Sequence, residues 1–360
     1  MSLNPSAMSN ETDRLEGRVL NLLQEVTMGH DGPDVLSSGQ VFDVVATGGA
    51  VRVLLDPERI PEGAEEALAE TLTPLVESLP GVERVVVKPR PRPVSNCREL
   101  PGIRRVVGVH SGKGGVGKST LAVNLAAALA ARGLRTGLLD ADVYGPSCPT
   151  LLGVGGRAET TDDGRRIRPL ERHGVRLMSL GLLLPEGEAL IWRGSLVDQG
   201  LPQLFTDVDW GELDILLVDL PPGTSDVHLA VARNAPLSGV ITVTAPGQVS
   251  VDDVRRGLEM FADLMVPCIG LIENMAGISC RHCGQVGDLF GSGGGRALAD
   301  ETGIPLLASL PFVPEVAVQG DAGEPVVISA PDTVAARVFD RLAAGLAERL
   351  FREQMQEVEA

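Results

Sequence analysis

The chain has 360 residues, of which 44% are hydrophobic and 22% charged, and it carries a formal net charge of −17. This length predicts one large globular domain with a smaller one beside it. The acidic charge excludes a general attraction to nucleic acid or to anionic lipid. No apolar run reaches the roughly 18 residues of a membrane span, and the N-terminus lacks the basic start and apolar core of a secretory signal. We therefore expect a cytoplasmic protein with reduced cysteines that binds neither nucleic acid nor membranes.

The sequence of residues 1–101 predicts a disordered tail, a small α+β domain and a linker. Residues 1–10 show no periodic pattern, and we predict that they are disordered. Residues 11–88 carry apolar residues first at helical and then at alternating spacing, which predicts the order α-β-β-α-β. Residues 89–101 are rich in proline and arginine, as is typical of an extended linker. The predicted elements are helices at 13–26 and 62–79 and strands at 41–46, 51–55 and 82–87.

Residues 102–360 predict a second, larger domain of the α/β class. Short and nearly continuous apolar runs alternate with helical segments, a pattern typical of parallel strands that helices bury on both faces. We therefore predict a P-loop NTPase fold with a mostly parallel sheet covered by helices on both faces. The predicted strands lie at 106–110, 136–139, 177–180, 215–218, 239–244, 268–272 and 306–309.

A glycine-rich loop follows the first of these strands and matches the phosphate-binding pattern G-x-x-x-x-G-K-[ST]. Glycines let backbone N–H groups converge on phosphates, and the N-terminus of the helix predicted at 120–131 adds its positive dipole. We expect Lys118 to reach the β- and γ-phosphates of ATP and Ser119 to ligate Mg²⁺. The predicted nucleotide-binding residues of the loop are Gly112, Lys113, Gly114, Gly115, Val116, Gly117, Lys118, Ser119 and Thr120.

Lys113 is a second lysine inside this loop. The form K-G-G-x-G-K-[ST] resembles the deviant Walker A motif of the MinD/ParA/nitrogenase-iron-protein class. In that class the extra lysine reaches the nucleotide of the partner subunit. The resemblance therefore implies a homodimer with ATP at its interface and a catalytic role for Lys113, whereas a lysine acting only within its own subunit is the alternative.

Three aspartates follow two of the predicted strands. Asp219 ends the strand at 215–218, as in a Walker B motif, and we expect it to hold Mg²⁺ through water. Asp140 and Asp142 follow the strand at 136–139. In the same ATPase class the second aspartate of such a pair positions the attacking water, so Asp142 is assigned a catalytic role and Asp140 a supporting one near Mg²⁺. One oriented carboxylate is sufficient because phosphoryl transfer depends mostly on positioning, and a turn or helix N-cap role is the alternative for Asp142.

The turn at 220–224 follows Asp219 and is interpreted as switch II, a loop that can order or relax with the state of the γ-phosphate.

Cys280 and Cys283 form a C-x-x-C pair in a predicted loop. Two thiolates supply half of a tetrahedral sulfur site, and a symmetric dimer would bring two such pairs together. Four thiolates suit either a bridging [4Fe–4S] cluster or Zn²⁺, and a redox pair or two unrelated thiols are further alternatives. The other three cysteines, Cys97, Cys148 and Cys268, are expected to be incidental or part of the core.

Several separated motifs together resemble the Mrp/ApbC family of iron–sulfur cluster carrier ATPases, and the resemblance covers residues 101–330. It implies that Cys280 and Cys283 hold a labile cluster at a homodimer interface. The cluster is then delivered to apoproteins under the control of ATP. The resemblance also implies that Asn274 contacts adenine, with residues 311–313 on the other side of the base. The motifs are SGKGGVGKST, LLDADVYGPS, IWRG, LLVDLPPGTSDVHL, GLIENMAG and CRHCG.

Two departures from the family pattern bear on function. Ser225 stands in switch II where the family has a glycine, and the loss of a permissive residue predicts slow hydrolysis. Residues 11–88 look like the MIP18-like module that often precedes this ATPase, but the stretch 32–35 lacks the glutamate of that module.

Two other functions fit parts of the chain. A positioning ATPase of the MinD/ParA kind would use a basic amphipathic tail or a basic surface, whereas the helix predicted at 333–358 ends in glutamates. A zinc-bridged dimer that binds client proteins would use the C-x-x-C pair equally well. It would also need a large exposed apolar groove, which eight scattered methionines do not indicate.

Overall fold

The computed structural model describes residues 15–27, 33–47, 49–56, 59–61, 63–89, 100–143, 145–183, 194–279, 286–288 and 290–358. The predicted tail at 1–10, the linker residues 90–99 and the pair Cys280 and Cys283 lie outside these ranges. The chain divides into two compact units, Met1–Pro93 and Val94–Ala360.

The first unit is a three-stranded sheet with two helices. Strand β1 pairs antiparallel with β2, and β2 pairs parallel with β3, so the element order is the predicted one. Leu23, Val53 and Leu68 are fully buried in a core that belongs to this unit alone. The elements are α1 (15–23), β1 (Val41–Thr47), β2 (Ala50–Leu55), α2 (Glu65–Glu77) and β3 (Arg84–Pro89).

The second unit is a large, mostly parallel sheet flanked by helices. Its strands are β4 (Val106–Ser111), β5 (Thr136–Asp140), β6 (Leu170–Arg172), β7 (Val175–Ser179), β8 (Ile215–Asp219), β9 (Leu237–Thr244), β10 (Cys268–Ser279), β11 (Val286–Gly287) and β12 (Leu306–Phe312). Its helices are α3 (Lys118–Ala131), α4 (Cys148–Leu152), α5 (Gly194–Thr206), α6 (Asp226–Asn234), α7 (Gln248–Asp263), α8 (Gly294–Thr302), α9 (Pro314–Asp321), α10 (Val326–Ser329) and α11 (Val334–Val358).

The strand order is β11-β10-β9-β4-β8-β5-β7-β6, with β12 also paired to β10. Among the described strands of this larger sheet, only β6 and β11 run antiparallel to their neighbours. Strands β4, β5 and β8 are buried at every position, and a strand buried on both of its faces needs helices on both sides of the sheet. The predicted α/β architecture is therefore confirmed. No helix in the described part of the chain combines the length and the apolarity needed to cross a bilayer.

The carboxyl ends of three central strands meet at one edge of the sheet. Asp219, the last residue of β8, pairs in register with Val109 of β4 and with Asp140 at the end of β5. The loops that follow these strands therefore emerge side by side, which is where ligands bind in open α/β sheets.

Strand β10 is longer than the sequence predicted. The apolar pattern ended at residue 272, but the strand continues to Ser279, directly before Cys280. Met275 has a left-handed backbone (φ 59°), and the pairing with β12 changes register between Asn274 and Ile278. This irregularity breaks the alternation that identifies a strand in sequence, so the second half of β10 escaped prediction.

Candidate nucleotide-binding site

The glycine-rich loop connects β4 to α3 and wraps the N-terminus of that helix. Gly117 is the N-cap residue of α3 and has a left-handed backbone (φ 84°), which only glycine adopts readily. A Cβ at Gly117 would also collide with the Asn274 amide, and a Cβ at Gly112 would lie 2.5 Å from the backbone of Asp253. Glycine is therefore required by close packing at both positions, and at Gly117 by the backbone conformation as well.

Lys118 lies at the centre of a buried polar network and is only 6% exposed. Its Nζ is 2.7 Å from Oδ1 of Asp219, 3.2 Å from Oγ of Ser119 and 3.9 Å from Oδ2 of Asp142. Ser119 Oγ donates to Oδ2 of Asp219 at 2.5 Å. The structure thus brings together four residues that the sequence assigned to phosphate, Mg²⁺ and the attacking water. They are Lys118, Ser119, Asp142 and Asp219.

Asp140 lies beside this network and shapes the loop after β5. Its Oδ1 accepts a hydrogen bond from the Asp142 N–H, and its Oδ2 accepts one from the Cys148 N–H, both at 3.1 Å. Burial, followed by the charge of Asp219, raises the pKa of the Asp140 carboxyl, against the lowering effect of those N–H groups and of Lys118. Asp140 therefore holds Asp142 in place next to the lysine, which suits the supporting role expected of it.

The oxygen atoms gathered beside Lys118 fit a Mg²⁺ site. Carboxylate oxygens of Asp140 and Asp219 and the Cys148 sulfur lie within 4.8 Å of one another, and Ser119 adds a hydroxyl. Mg²⁺ prefers oxygen ligands. The Cys148 thiol is fully buried, and burial, followed by the charges of Asp140 and Asp219, raises its pKa, so the sulfur stays protonated and donates weakly to Asp219 at 3.5 Å. The oxygens of Ser119 and Asp219 are thus the candidate ligands.

The position of Cys148 was missed at the sequence level, where this residue was treated as incidental. It begins α4, and the short helix packs its first residue beneath the end of β8. No local sequence signal predicts this contact, because it depends on how the loop after β5 folds back.

A cavity of about 100 Å³ lies beside the start of α3. Asn274 borders it and donates through Nδ2 to the Val116 carbonyl at 2.8 Å. The lining is otherwise mostly apolar, so an apolar slot with one amide at its edge suits a purine base. The lining includes the residues at 311–313 that were assigned to the base and, beyond that prediction, Phe339 of α11: Gly117, Thr120, Leu121, Asn274, Met275, Leu310, Pro311, Phe312, Val313, Val316, Ala317, Ala335 and Phe339.

We expect Asn274→Ala to weaken ATP binding about tenfold and to reduce the preference for ATP over GTP, because the amide is the polar group at the edge of the cavity. Calorimetric titration with each nucleotide measures both effects. Asn124→Ala is the matched control, since Asn124 is buried in α3 and does not line the cavity; its Nδ2 donates to the Thr120 carbonyl and its Oδ1 accepts from the Val327 N–H. It should lower stability without changing base preference, and an unchanged base preference in Asn274→Ala would contradict the assignment.

Switch II lies against the glycine-rich loop. The Gly223 N–H donates to the Ser111 carbonyl at 2.8 Å, and the Leu220 N–H donates to the Val109 carbonyl at 3.0 Å. Ser225 adopts an extended backbone (φ −123°, ψ 168°) as the N-cap of α6, a conformation open to any residue. Replacing glycine at this position therefore causes no backbone strain, and slow hydrolysis stays a prediction.

Two histidines that the sequence analysis did not single out lie behind switch II. His110 of β4 and His228 of α6 are both completely buried. Burial, followed by the neighbouring His228, lowers the pKa of His110 to about 3, although the Gly223 carbonyl raises it. Burial lowers the pKa of His228 to about 4, against the carbonyls of Ser225 and Pro221, which raise it. Both rings are therefore neutral at neutral pH.

We expect the buried histidines to make the protein less stable in acid. Their folded pKa values lie below the unfolded value of about 6.5, so the unfolded chain takes up protons that the folded chain does not. The free energy of unfolding therefore falls as the pH drops below 6.5, by about 2 kcal/mol per histidine at pH 5. Urea unfolding at pH 7.5 and pH 5.0 measures this. The variant His110→Gln/His228→Asn should lose that part of the pH dependence, and identical profiles would refute the prediction.

Lys113 and Cys268 lie within the described part of the chain, whereas the C-x-x-C pair does not. Lys113 lies in the loop with a half-buried side chain, and its carbonyl accepts a hydrogen bond from Ser111 Oγ at 3.0 Å; its action across a dimer stays a prediction. Cys280 and Cys283 lie outside the described residues. Cys268 is partly buried at the start of β10, with its sulfur 3.7 Å from the Thr242 hydroxyl.

Fold and site together define a P-loop NTPase: a phosphate loop at the carboxyl edge of a parallel sheet, with a lysine, a serine and acidic residues converging behind it. Comparison with known proteins assigns the chain to one family within this class. The family model of the NUBPL iron-transfer P-loop NTPases, a ParA group, matches residues 102–347, and the chain belongs to this family.

Individual proteins support this assignment. The iron-sulfur cluster carrier protein of Helicobacter pylori is 39% identical over 350 residues, which cover 94% of each chain. A nucleotide-binding protein from Archaeoglobus fulgidus, solved in complex with ADP, is 34% identical with a TM-score of 0.56 and covers 64% of this chain and 90% of that chain. The cell division ATPase MinD of Pyrococcus furiosus, at 23% identity and a TM-score of 0.52, covers 68% of this chain and 98% of that chain and supports the fold alone.

Proposed function

We propose that this protein is an iron–sulfur cluster carrier that transfers a labile cluster to apoproteins under the control of ATP. Cys280 and Cys283 of each subunit hold the cluster, a [4Fe–4S] group that bridges a homodimer. The observation that carries the proposal is the likeness, over 94% of both chains, to a relative named an iron-sulfur cluster carrier protein. The C-x-x-C pair gives that likeness its chemistry, because thiolates are the ligands that iron–sulfur clusters use.

The path of β10 supports a link between nucleotide and cluster. Asn274 in this strand borders the cavity proposed for adenine, and the strand ends at Ser279, directly before Cys280 in the sequence. A change in how the base sits against Asn274 therefore acts on the same strand that leads to the cysteines. ATP binding can thus influence how firmly the cluster is held.

We infer that ATP binding rearranges the network around Lys118. In the described arrangement the lysine neutralises Asp219, and the Ser119 hydroxyl donates to the same carboxylate. Phosphates bring negative charge to the loop, so Lys118 would exchange the Asp219 carboxylate for the β- and γ-phosphates, and the oxygens of Ser119 and Asp219 would hold Mg²⁺. When bound, this ion neutralises charge on the phosphates. Asp142, 3.9 Å from Lys118, orients the water that attacks the γ-phosphorus and releases ADP and phosphate.

In this scheme each subunit of the homodimer completes the nucleotide site of the other. Lys113 of one subunit reaches the nucleotide of the other, so hydrolysis requires the dimer. We propose that hydrolysis is slow and coupled to cluster transfer. If the cluster leaves only when ATP is hydrolysed, slow hydrolysis limits how often a bound cluster is released.

Anaerobic reconstitution with iron and sulfide tests the proposed function. The expected result is a visible charge-transfer band with iron and sulfide in equal amounts, and transfer of the cluster to an apoprotein acceptor that changes with ATP. Metal analysis of the protein purified without reconstitution provides the comparison. Stoichiometric zinc with no cluster uptake would overturn the carrier proposal and favour a zinc-bridged ATPase dimer.

A further inference from the structure

Glu273 is a buried carboxylate of β10 that takes no part in the network around Lys118. Its side chain is 3% exposed. Oε1 accepts a hydrogen bond from the Gly295 N–H at 2.8 Å, and Oε2 accepts one from the Ser309 hydroxyl at 3.0 Å. Burial of a carboxylate costs free energy unless hydrogen bonds replace those lost to water. Glu273 therefore ties β10 to α8 and to β12 through bonds that an apolar side chain could not form.

The start of α8 is packed directly against this carboxylate. Gly295 is the second residue of the helix, and a Cβ there would lie only 2.8 Å from Cβ of Glu273. A Cβ at Gly294 would collide with the Pro246 carbonyl in the loop after β9. The two glycines thus bring the N-terminus of α8 close to Glu273, where the helix dipole favours a negative charge. The position of α8 is therefore set by Glu273 together with the loop after β9.

The next residue of β10, Asn274, contacts the nucleotide site. It donates to the Val116 carbonyl in the phosphate loop at 2.8 Å and borders the cavity proposed for adenine. Successive side chains of a strand point to opposite faces of the sheet, so Glu273 and Asn274 face away from each other. Two consecutive residues of one strand thus contact the phosphate loop on one face and α8 on the other.

The C-x-x-C segment begins and ends at these same elements. Cys280 directly follows β10 in the sequence, and Cys283 precedes β11, which leads to α8. Strand β11 pairs antiparallel with the last two residues of β10. The bond from Glu273 to Gly295, which are 22 residues apart, is a second tie between the two limbs of this segment.

The irregular part of β10 favours a connection through Glu273. Glu273 and Asn274 pair in register with consecutive residues of β12, but the register changes between Asn274 and Ile278, and Met275 is left-handed. An interrupted ladder transmits a displacement less directly than an intact one. A movement of Asn274 therefore reaches β11 and α8 more directly through Glu273 than along the backbone to the end of β10.

We propose that Glu273 is a positioning residue that couples the nucleotide site to the limbs of the C-x-x-C segment. A base bound beside Asn274 displaces this part of β10, and Glu273 passes the displacement to α8 through the Gly295 N–H. Glu273 touches neither the nucleotide nor the cluster in this scheme. The inference deepens the proposed function and rests on it, because it assigns a residue to the control of the cluster by ATP.

Cluster release tests the coupling. In wild-type protein, ATP should change the rate of cluster loss to an iron chelator about fivefold or more. In Glu273→Leu the change should be less than about twofold, with ATP affinity by calorimetry within about twofold of wild type. Glu273→Gln should recover most of the ATP effect, since its amide can accept from Gly295 and donate to Ser309. An undiminished ATP effect in Glu273→Leu would overturn the proposal.

Amide hydrogen exchange tests the same connection in protein without a cluster. The Gly295 amide should exchange about tenfold faster in Glu273→Leu than in wild type, the effect of one hydrogen bond. Addition of Mg²⁺ and a non-hydrolysable ATP analogue should change exchange in β11 and the first turn of α8. The change should occur in wild type and Glu273→Gln but not in Glu273→Leu, and its persistence there would refute the coupling.

Thr244→Val is the matched control. Thr244 is buried opposite Glu273 in β9, and its hydroxyl bonds Ser250 and the Ala245 carbonyl rather than α8. The variant should lose stability but keep the ATP effect; loss of the effect would overturn the proposal, because any loosening of the sheet would then suffice. Glu273→Asp replaces the leucine variant if that variant does not fold. It keeps the charge but is one methylene too short to reach Gly295, so the same loss is expected.

The two levels of the hypothesis fail in different ways. Wild-type protein that takes up no cluster contradicts the proposed function, while hydrogen exchange still decides the role of Glu273. Wild-type protein in which nucleotide changes neither cluster release nor exchange contradicts both. An ATP-dependent release that is equal in wild type and Glu273→Leu contradicts this inference alone.

Discussion

Cys280→Ala and Cys283→Ala should each abolish cluster binding while leaving ATP binding at the wild-type level. Each substitution removes one of the two thiolates that a subunit contributes, and four thiolates are needed for a bridging tetrahedral site. The nucleotide site uses Lys118, Ser119 and Asp219, none of which is altered. Iron and sulfide content after anaerobic reconstitution, together with calorimetric titration of ATP, measures the two properties separately.

Cys268→Ala is the matched control for this experiment. Cys268 begins the strand that ends just before the C-x-x-C pair, and its sulfur contacts only the Thr242 hydroxyl and the Gly270 carbonyl among described hydrogen-bond partners. The variant should keep a full cluster. A full cluster in Cys280→Ala or Cys283→Ala would remove these residues from the ligand set.

Lys118→Ala should weaken ATP binding roughly 10- to 100-fold, because a buried ammonium that bonds two phosphates contributes about 1.5–3 kcal/mol. The protein should still take up a cluster on reconstitution but should lose ATP-dependent delivery. In the absence of nucleotide the variant also leaves Asp219 buried without its ion-pair partner, at 0% exposure, which is expected to cost about 3–5 kcal/mol of stability. Thermal unfolding followed by circular dichroism checks that the variant is folded.

Lys118→Gln replaces the alanine variant if that variant does not fold, since an amide can still donate to Asp219 but carries no charge for the phosphates.

Lys113→Ala is the informative comparison with Lys118→Ala. If Lys113 acts across the dimer, its removal should leave ATP affinity near the wild-type value and lower kcat. A mixture with Lys118→Ala subunits should then regain part of the activity. Unchanged ATP affinity in Lys118→Ala would refute the assignment of the phosphate loop.

The linear motifs of the nucleotide site could be predicted because each is local. The glycines, Lys118 and Ser119 lie within one loop, and the strand before it and the helix after it have clear apolar periodicity. Asp140 and Asp219 could be assigned for a related reason: each ends an apolar strand, and the carboxyl ends of parallel strands meet at one edge. The structure then placed them in register opposite each other.

Contacts between distant segments had no such signal. Cys148 lies against Asp219, and His110 lies against Gly223 and Gly257, through packing of segments far apart in sequence. A cysteine or histidine in an apolar strand or short helix looks the same in sequence whether it faces a core or a switch loop. The second half of β10 was missed for a different reason, because the left-handed Met275 interrupts the alternation.

The sequence by itself predicted the class of protein, the phosphate loop and the acidic partners of that loop, whereas the residue expected at the adenine base came from the family resemblance. The phosphate loop and the aspartates could be predicted because they depend on residue type at short spacing, where covalent geometry limits the possible structures. The tertiary structure alone decided which buried groups share one environment: Lys118 with Asp219, Cys148 with both aspartates, and the two histidines with switch II. Such groupings arise from packing several strands and helices around one sheet edge, and burial then sets their charges and hydrogen bonds.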